Sequence, residues 1–408
     1  MRILLASYWS YPSTGAIEIY LRLVSSKLRQ AGHQVDILAR NGWDELRLLD
    51  NGGKVDLRTI WPLIIPGFRD HFTHFAYHPS NWVLSREEDQ YVYEVGALQL
   101  GRFGEYDLIH AQDVYSSRAL ARLVPQVPLV TSAHGLAAYE WLVEGRVAGG
   151  ESLEWRYVFL REKLGLECAD RVIVPGNWMK REYVEHFGLS PENIVVLPHG
   201  IDVADFDRRA GLGGGAVGLP DLSGRPVVTC IARLVPLKGH RYLLEAMAEL
   251  HRSIPEAVCL IVGDGPLELS LKQAVSAMGL DTVVHFLGRR DDVPAILART
   301  DVLAVPSLQE VTPLAIMEAQ LAAKAVVATD VGGIPDMLDQ MDTGVMVPPA
   351  DGSSMARALE QVLRDSGLRR RLGARGRERV LRERTWEEHL TVLWAVYETA
   401  RRRRNAGR

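Results

Sequence analysis

The sequence predicts an α/β protein of two doubly wound, Rossmann-like domains facing each other across a cleft. Three observations predict it. The 408 residues exceed one domain at roughly 100–200 residues each. Short β-branched runs alternate with longer helical patterns, the signature of parallel sheets covered on both faces. That alternation occurs twice, on either side of the glycine-rich stretch Gly211 to Gly215, which no helix or strand interior favours.

In the first half the expected strands are Arg2–Ala6, Val35–Ala39, Asp107–His110, Leu129–Ser132, Arg171–Val174 and Ile194–Leu197. In the second they are Val227–Ile231, Val258–Val262, Val283–Phe286, Val302–Val305, Ala325–Ala328 and Gly344–Val347. Helices are expected between them, among them Ile17–Ala31, Arg241–Leu250, Glu268–Met278 and Leu314–Ala322. In such sheets ligands bind outside the carboxyl ends of the strands, so chemistry-bearing motifs belong just after strands.

Composition narrows the class. Hydrophobic residues at 47% and charged residues at 24% exclude a disordered, collagen-like or disulfide-built chain. No run of apolar residues is long enough for a transmembrane helix. The apolar run after Met1 is too short for a signal peptide and reads as a first buried strand. Cys168, Cys230 and Cys259 are odd in number, widely spaced and without a CxxC pair, so neither disulfide nor zinc is expected and a reducing cytoplasm is the default. The net charge of −4 conceals an asymmetry: 20 basic against 27 acidic residues through Asp207, then 27 against 24. The basic run Arg401 to Arg404 reads as a solvated, partly disordered end, and no basic face interleaved with aromatics suggests nucleic acid. Trp61, Phe68, Phe72, Phe75, Tyr77 and Trp82 crowd a proline-containing segment, either a sugar-stacking or lipid-facing wall or the core of an irregular insertion. His71, His74 and His78 in that segment lack carboxylate or cysteine company, so no metal site is expected there.

Six motifs follow strands. Ser13-Thr14-Gly15-Ala16 opens a helix, where free N–H groups suit a phosphate. Ala133-His134-Gly135 places a histidine at a strand end, suited to a hydroxyl or to base catalysis. Arg233 and Lys238, with Gly239 at a helix start, converge as cations suited to a diphosphate. Gly263-Asp264-Gly265 allows close backbone approach to a base or phosphate. Asp330 to Pro335 forms a further glycine loop. The most informative stretch is Val305 to Leu314, continuing to Met317-Glu318-Ala319. Thr312 is the expected N-cap and Pro313 the first helical residue, so the helix N-terminus points at whatever lies beside Glu310. Glu318 lies a rise of roughly 7.5 Å further on, and carboxylates accept from the vicinal hydroxyls of ribose and hexoses.

This ordered series resembles the retaining nucleotide-sugar glycosyltransferases of the GT-B fold, family 4, over nearly the whole chain. Glu310 and Glu318 are similar to that family's E-x7-E motif, and Trp386 to the aromatic near its final helix. The resemblance implies an acceptor-binding domain at 1–207, joined by a helix at 386–400 that crosses back to it, and a donor-binding domain at 208–385. It implies that Glu318 binds the ribose, Glu310 the transferred sugar's hydroxyls, and Arg233 and Lys238 the diphosphate. Gly15 and Ala16 would bring first-domain backbone to the donor, His134 would face the sugar, and Gly263 and Leu287 would lie near the base. Backbone at Val311, Thr312, Pro313 and Leu314 would line phosphate and sugar. Departures from the family pattern are Ala16 for glycine, His199 for asparagine in Pro198–Asp202, Asp336 for glutamate, and Val311 after the first motif glutamate.

The expected activity is transfer of a hexose from a nucleoside-diphosphate sugar to an acceptor hydroxyl, with retention and with neither metal nor cofactor. Two rivals stand beside it. One is a catalytically silent sugar-nucleotide-binding subunit; the other is a different GT-B enzyme, such as a nucleotide-sugar epimerase or phosphorylase. The base, the sugar and a lipid-linked or small-molecule acceptor stay open. No nucleic-acid partner is expected. The expected location is the cytoplasm, peripheral contact with the inner face of a membrane being compatible.

Overall fold

The computed structural model describes residues 1–12, 16–50, 52–74, 81–150, 152–212 and 218–406. The chain divides into two units, Met1–Leu197 with Thr391–Arg408, and Pro198–Leu390.

The first unit holds β1 (Arg2–Ser10), β2 (Gln34–Asn41), β3 (Glu45–Leu48), β4 (Gly53–Asp56), β5 (Leu108–Ala111), β6 (Leu129–Ser132), β7 (Arg171–Val174) and β8 (Ile194–Val196). Their order is β4-β3-β2-β1-β5-β6-β7-β8. From β2 to β8 every pairing is parallel, while β3 and β4 extend the edge as antiparallel strands. Strand order reverses at β1, which pairs with β2 on one side and β5 on the other. The carboxyl ends of β1 and β5 are therefore the place where this topology opens a crevice. Asp113, just after β5, fixes that end. Its Oδ1 accepts from the Tyr115 and Ser116 amides at 3.1 and 2.8 Å, capping the helix Val114–Leu123. Its Oδ2 accepts from the Tyr8 amide on β1 at 2.7 Å.

The second unit holds β9 (Val227–Ile231), β10 (Val258–Val262), β11 (Val284–Gly288), β12 (Val302–Val305), β13 (Ala325–Thr329) and β14 (Val345–Val347). They form one all-parallel sheet in the order β11-β10-β9-β12-β13-β14. Counted within the unit this is 3-2-1-4-5-6, the doubly wound order, with its reversal between β9 and β12. Val228, Cys230, Cys259, Ile261 and Ala304 on the strands pack with Leu243, Leu244 and Met247 of the helix His240–Ser253. The three cysteines are unbonded, and burial pushes the Cys230 thiol up to about 12.

Four expectations change. The unit boundary falls at Pro198, not at 208. The helix Val203–Leu212 continues through Gly211, and its Phe206 packs with Val293 and Leu297 in the second unit's core. Gly213 to Gly215 lie outside the described residues. The return to the first unit comes at Thr391, within the helix Trp386–Ala406, rather than at Trp386.

The tail is helical through Ala406 and docked rather than loose. Arg404 Nε and Nη2 both donate to Asp170 Oδ2, at 3.0 and 2.8 Å, and Tyr397 Oη lies 2.8 Å from His110 Nδ1. The aromatic segment is not an irregular insertion but two helices, Trp61–His74 and Asn81–Leu100; Phe75, Tyr77 and His78 lie outside the described residues. Among the described residues no helix is long and apolar enough to cross a membrane.

Candidate active site

At the strand reversal of the second unit, two loops are locked together by backbone. After β9 the chain makes a tight turn, Pro236–Lys238, and Gly239 adopts a left-handed φ of +63°. A Cβ there would stand 2.0 Å from the Pro306 carbonyl oxygen just after β12, so only glycine lets the loops touch. The Leu308 amide donates to the Leu237 carbonyl at 2.8 Å. Thr329 Oγ1, at the end of β13, donates to the Ser307 carbonyl at 2.6 Å.

This lock brings Lys238 and Glu310 together. Lys238 Nζ donates to Glu310 Oε1 at 2.6 Å, and Ser307 Oγ donates to the same oxygen at 2.9 Å. Glu310 is buried at 8% exposure and Lys238 is half-buried. Both protein contacts fall on Oε1. The backbone of Glu310 is held in turn: the Gly333 amide donates to its carbonyl at 3.1 Å, and Gly332 (φ +55°) passes so close that a Cβ would stand 2.0 Å from that oxygen. Arg233 is exposed, and among the described residues no carboxylate engages it.

The helix after Glu310 runs Leu314–Leu321 and starts at the expected Leu314, but its N-cap is one residue later than expected. Pro313, in extended conformation, is the N-cap, and no side chain caps the helix; Thr312 lies before it. Proline lacks an N–H and the chain straightens ahead of it, which moves the cap. The uncapped amides at this end point away from the helix body. Val311 and Pro313 are buried, Thr312 and Leu314 half-buried.

Glu318 follows on this helix, half-buried, and among the described residues its carboxylate has no hydrogen bond or ion pair. Burial raises its carboxyl to about 7, with Arg209 pulling weakly the other way. The folded protein therefore holds a proton that the unfolded chain releases near pH 4.5, and stability falls as pH rises from there through about 7. Glu318→Gln is expected to flatten that decline, on the order of 1–3 kcal/mol. Denaturant midpoints from pH 4.5 to 8 check this; parallel curves for variant and parent would contradict it.

Gly263 is tied to the end of the strand that carries Leu287. Gly263 donates its amide to the Gly288 carbonyl at 2.8 Å, and Leu287 on β11 is half-buried beside Val262 and Ile296. The freedom expected of Gly263 toward a ligand serves the protein itself, since a Cβ would meet the Ala232 carbonyl oxygen at 2.0 Å.

In the first unit, His134 follows β6 and is half-buried. Its Nε2 lies 3.0 Å from Gln112 Oε1, and its ring centroid 5.1 Å from that of Tyr20. Ala16 is the first residue of the helix Ala16–Gln30, and Gly15 lies outside the described residues. Sequence reading missed Ser307, Thr329 and Gln112. Ser307 stands inside the Val305–Leu314 stretch, and its three-residue spacing from Glu310 was a usable signal.

Residues 17–205 match the family described as Glycosyltransferase Family 4, and residues 220–379 match Glycosyl transferases group 1. A D-inositol 3-phosphate glycosyltransferase of Salinispora arenicola is 31% identical over 317 residues, covering 73% of this chain and 69% of that protein. An MMP alpha-(1->4)-mannosyltransferase of Mycolicibacterium hassiacum is 26% identical, with 98% of each chain covered. Among solved structures, sucrose-phosphate synthase from Thermosynechococcus elongatus superposes with a TM-score of 0.74 at 23% identity, over 97% of this chain and 98% of that one. With a group 1 match on the unit that pairs Lys238 with Glu310, and a family 4 match on the unit that carries His134, the chain belongs to the GT-B glycosyltransferases of family 4.

Proposed function

We propose that the chain transfers a hexose from a nucleoside-diphosphate sugar to an acceptor hydroxyl with retention of anomeric configuration. The observation that carries this is the Lys238–Glu310 pair at the strand reversal, with Glu318 about one turn into the helix that follows Glu310. Lys238, Arg233 and the uncapped amides before Leu314 meet the charge that develops on the departing diphosphate. The anomeric carbon–phosphate oxygen bond breaks, and a bond to the acceptor oxygen forms on the same face. The acceptor proton passes to the phosphate oxygen that leaves. Those cations supply the charge, so the proposal assigns no metal and no cofactor.

Glu310 Oε2, the oxygen not used by Lys238 or Ser307, takes the sugar hydroxyls. Glu318 takes the ribose hydroxyls, and His134 in the first unit faces the transferred sugar. The Gly15 and Ala16 positions are assigned to the diphosphate. The unit carrying His134 supplies the acceptor side, in the cytoplasm. The relatives' names favour a small polyol or sugar as acceptor.

The test is thermal stabilisation by UDP, GDP and ADP, since a ligand at a hundred times its Kd stabilises by about 2.7 kcal/mol. One of the three is expected to raise Tm. The matching sugar nucleotides are then offered to polyol and sugar acceptors, and the product's anomeric configuration is read by NMR. No shift with any nucleotide, or an inverted product, would overturn the proposal.

A further inference from the structure

Arg86, on the helix Asn81–Leu100, stands apart from the arginines around it. The acids that follow it in sequence are already taken, Glu87 by Arg161 at 3.4 Å, Glu88 by Arg69 at 2.5 Å and Asp89 by Arg40 at 2.9 Å. Among the described residues the Arg86 guanidinium has no ion pair and no hydrogen bond, and its Nε is buried without a partner. What surrounds it is aromatic. The guanidinium carbon lies 5.5 Å from the ring centroid of Trp82, one turn back on the same helix face, and 5.9 Å from that of Trp141. The two indoles meet edge to face at 5.4 Å, and the Tyr157 ring stands 6.0 Å from Trp82. The Tyr157 hydroxyl donates to Glu87 Oε1 at 2.7 Å, so Tyr157 brings only its ring to the cluster. All four side chains are half-buried and reach solvent.

Aromatic rings support a cation's charge but offer no lone pair in the plane of a guanidinium's N–H donors. A half-buried guanidinium in such company is short of an acceptor. An oxyanion fits its planar fork with two parallel hydrogen bonds, and a surround of rings strengthens that pairing relative to open water. The rings themselves offer apolar surface to the C–H groups of a sugar or polyol. The position suits a ligand as well. Trp141 belongs to the helix Ala137–Val143, which follows the carboxyl end of β6, the side on which doubly wound sheets bind ligands. We propose that Arg86, Trp82, Trp141 and Tyr157 form a site within the first unit for a small anionic carbohydrate, whose phosphate or carboxylate pairs with Arg86 and whose ring lies on the aromatic side chains, and that the acceptor is of this class. The site needs only the first unit. Its use by the acceptor rests on the reading of that unit as the acceptor side.

The first measurement needs no turnover, so its failure is separable from failure of the proposed reaction. The full chain is titrated calorimetrically, at low ionic strength, with glucose, glucose 6-phosphate, glucuronate and inorganic phosphate. At least one of the two anionic sugars is expected to bind about tenfold or more tighter than glucose and than inorganic phosphate, and the pair tells a phosphate site from a carboxylate site. In Arg86→Gln that advantage over glucose is expected to vanish. In Arg86→Lys, which keeps the charge without the fork, it is expected to shrink, with circular dichroism reporting the fold of both. In Lys238→Ala it is expected to stay, which separates this site from the cations assigned to the diphosphate in the second unit. No advantage in the wild type, an advantage undiminished in Arg86→Gln, an advantage lost in Lys238→Ala, or inorganic phosphate binding as tightly as the anionic sugars overturns the site.

The second measurement reads the acceptor. With the nucleotide sugar found by the thermal screen, the anionic sugar that binds is expected to accept better than glucose. Arg86→Gln is expected to raise the KM for that acceptor about tenfold, with kcat and the KM for the nucleotide sugar unchanged. Anion binding that depends on Arg86, joined to transfer that favours neutral acceptors or ignores the Arg86→Gln change, keeps the site and overturns its use by the acceptor.

Discussion

Lys238→Ala is expected to lower kcat/KM about a hundredfold or more while leaving the fold intact. Removing a donor aimed at developing charge in a water-poor site typically has that size. The loss has a second source. Glu310 is buried and, among the described residues, its carboxylate takes contacts from Lys238 and Ser307, so the variant leaves it with one described hydroxyl for company. Arg233→Ala is expected to do less, because Arg233 is exposed and its charge is screened by solvent. Steady-state kinetics with the nucleotide sugar found by the thermal screen, and circular dichroism for the fold, check both. A Lys238→Ala enzyme with parental kcat/KM would remove Lys238 from the machinery.

Gly332→Ala is expected to impair both stability and turnover without touching any side chain of the site. The residue has a left-handed φ of +55°, and a Cβ would meet the Glu310 carbonyl oxygen at 2.0 Å. No rotamer relieves that contact, because the clash is backbone against Cβ. The strand-end loops must part, which costs about 1–3 kcal/mol as overpacking, with a further cost of about 1 kcal/mol for the left-handed backbone. Glu310 moves with its carbonyl, so its alignment with Lys238 is lost, and a misplacement of this kind carries a large kinetic penalty. Denaturant midpoint and kcat/KM are the readouts; an unchanged midpoint with unchanged turnover would mean the loop gives way freely.

Strands buried on both faces were the easiest to read. Leu129–Ser132, Arg171–Val174, Val227–Ile231, Val258–Val262 and Val302–Val305 have the bounds expected of them, because each is a short apolar run closed off by turn residues. The hairpin β3–β4 escaped notice because each of its strands has four residues, and Glu45, Arg47 and Lys54 dilute the apolar signal. Glu310, Glu318, Lys238 and Arg233 announced themselves by charge at a strand end. Thr329 and Gln112 did not, since a polar residue that orients a distant one carries no spacing rule, while Ser307 offered only its three-residue spacing from Glu310. The docking of Arg404 on Asp170 lay beyond reach for the same reason: the partners are 234 positions apart. Local rules find chemistry near a strand end; long-range polar pairing belongs to the tertiary structure.

The first unit is discontinuous in sequence, and this bears on biosynthesis. The second unit is one unbroken stretch, Pro198–Leu390, with its own sheet and core. The first is complete only when Thr391–Arg408 arrives. During translation the N-terminal sheet emerges early, yet His110 waits for Tyr397 and Asp170 for Arg404 until the helix Trp386–Ala406 is made. The order of maturation is thus inverted relative to the order of synthesis. The unit made second can finish first, and the unit made first is sealed only after it, by Thr391–Arg408. A chain stopped at Leu390 would carry a finished second unit and an open first one, a product exposed to proteases and chaperones at its N-terminal half.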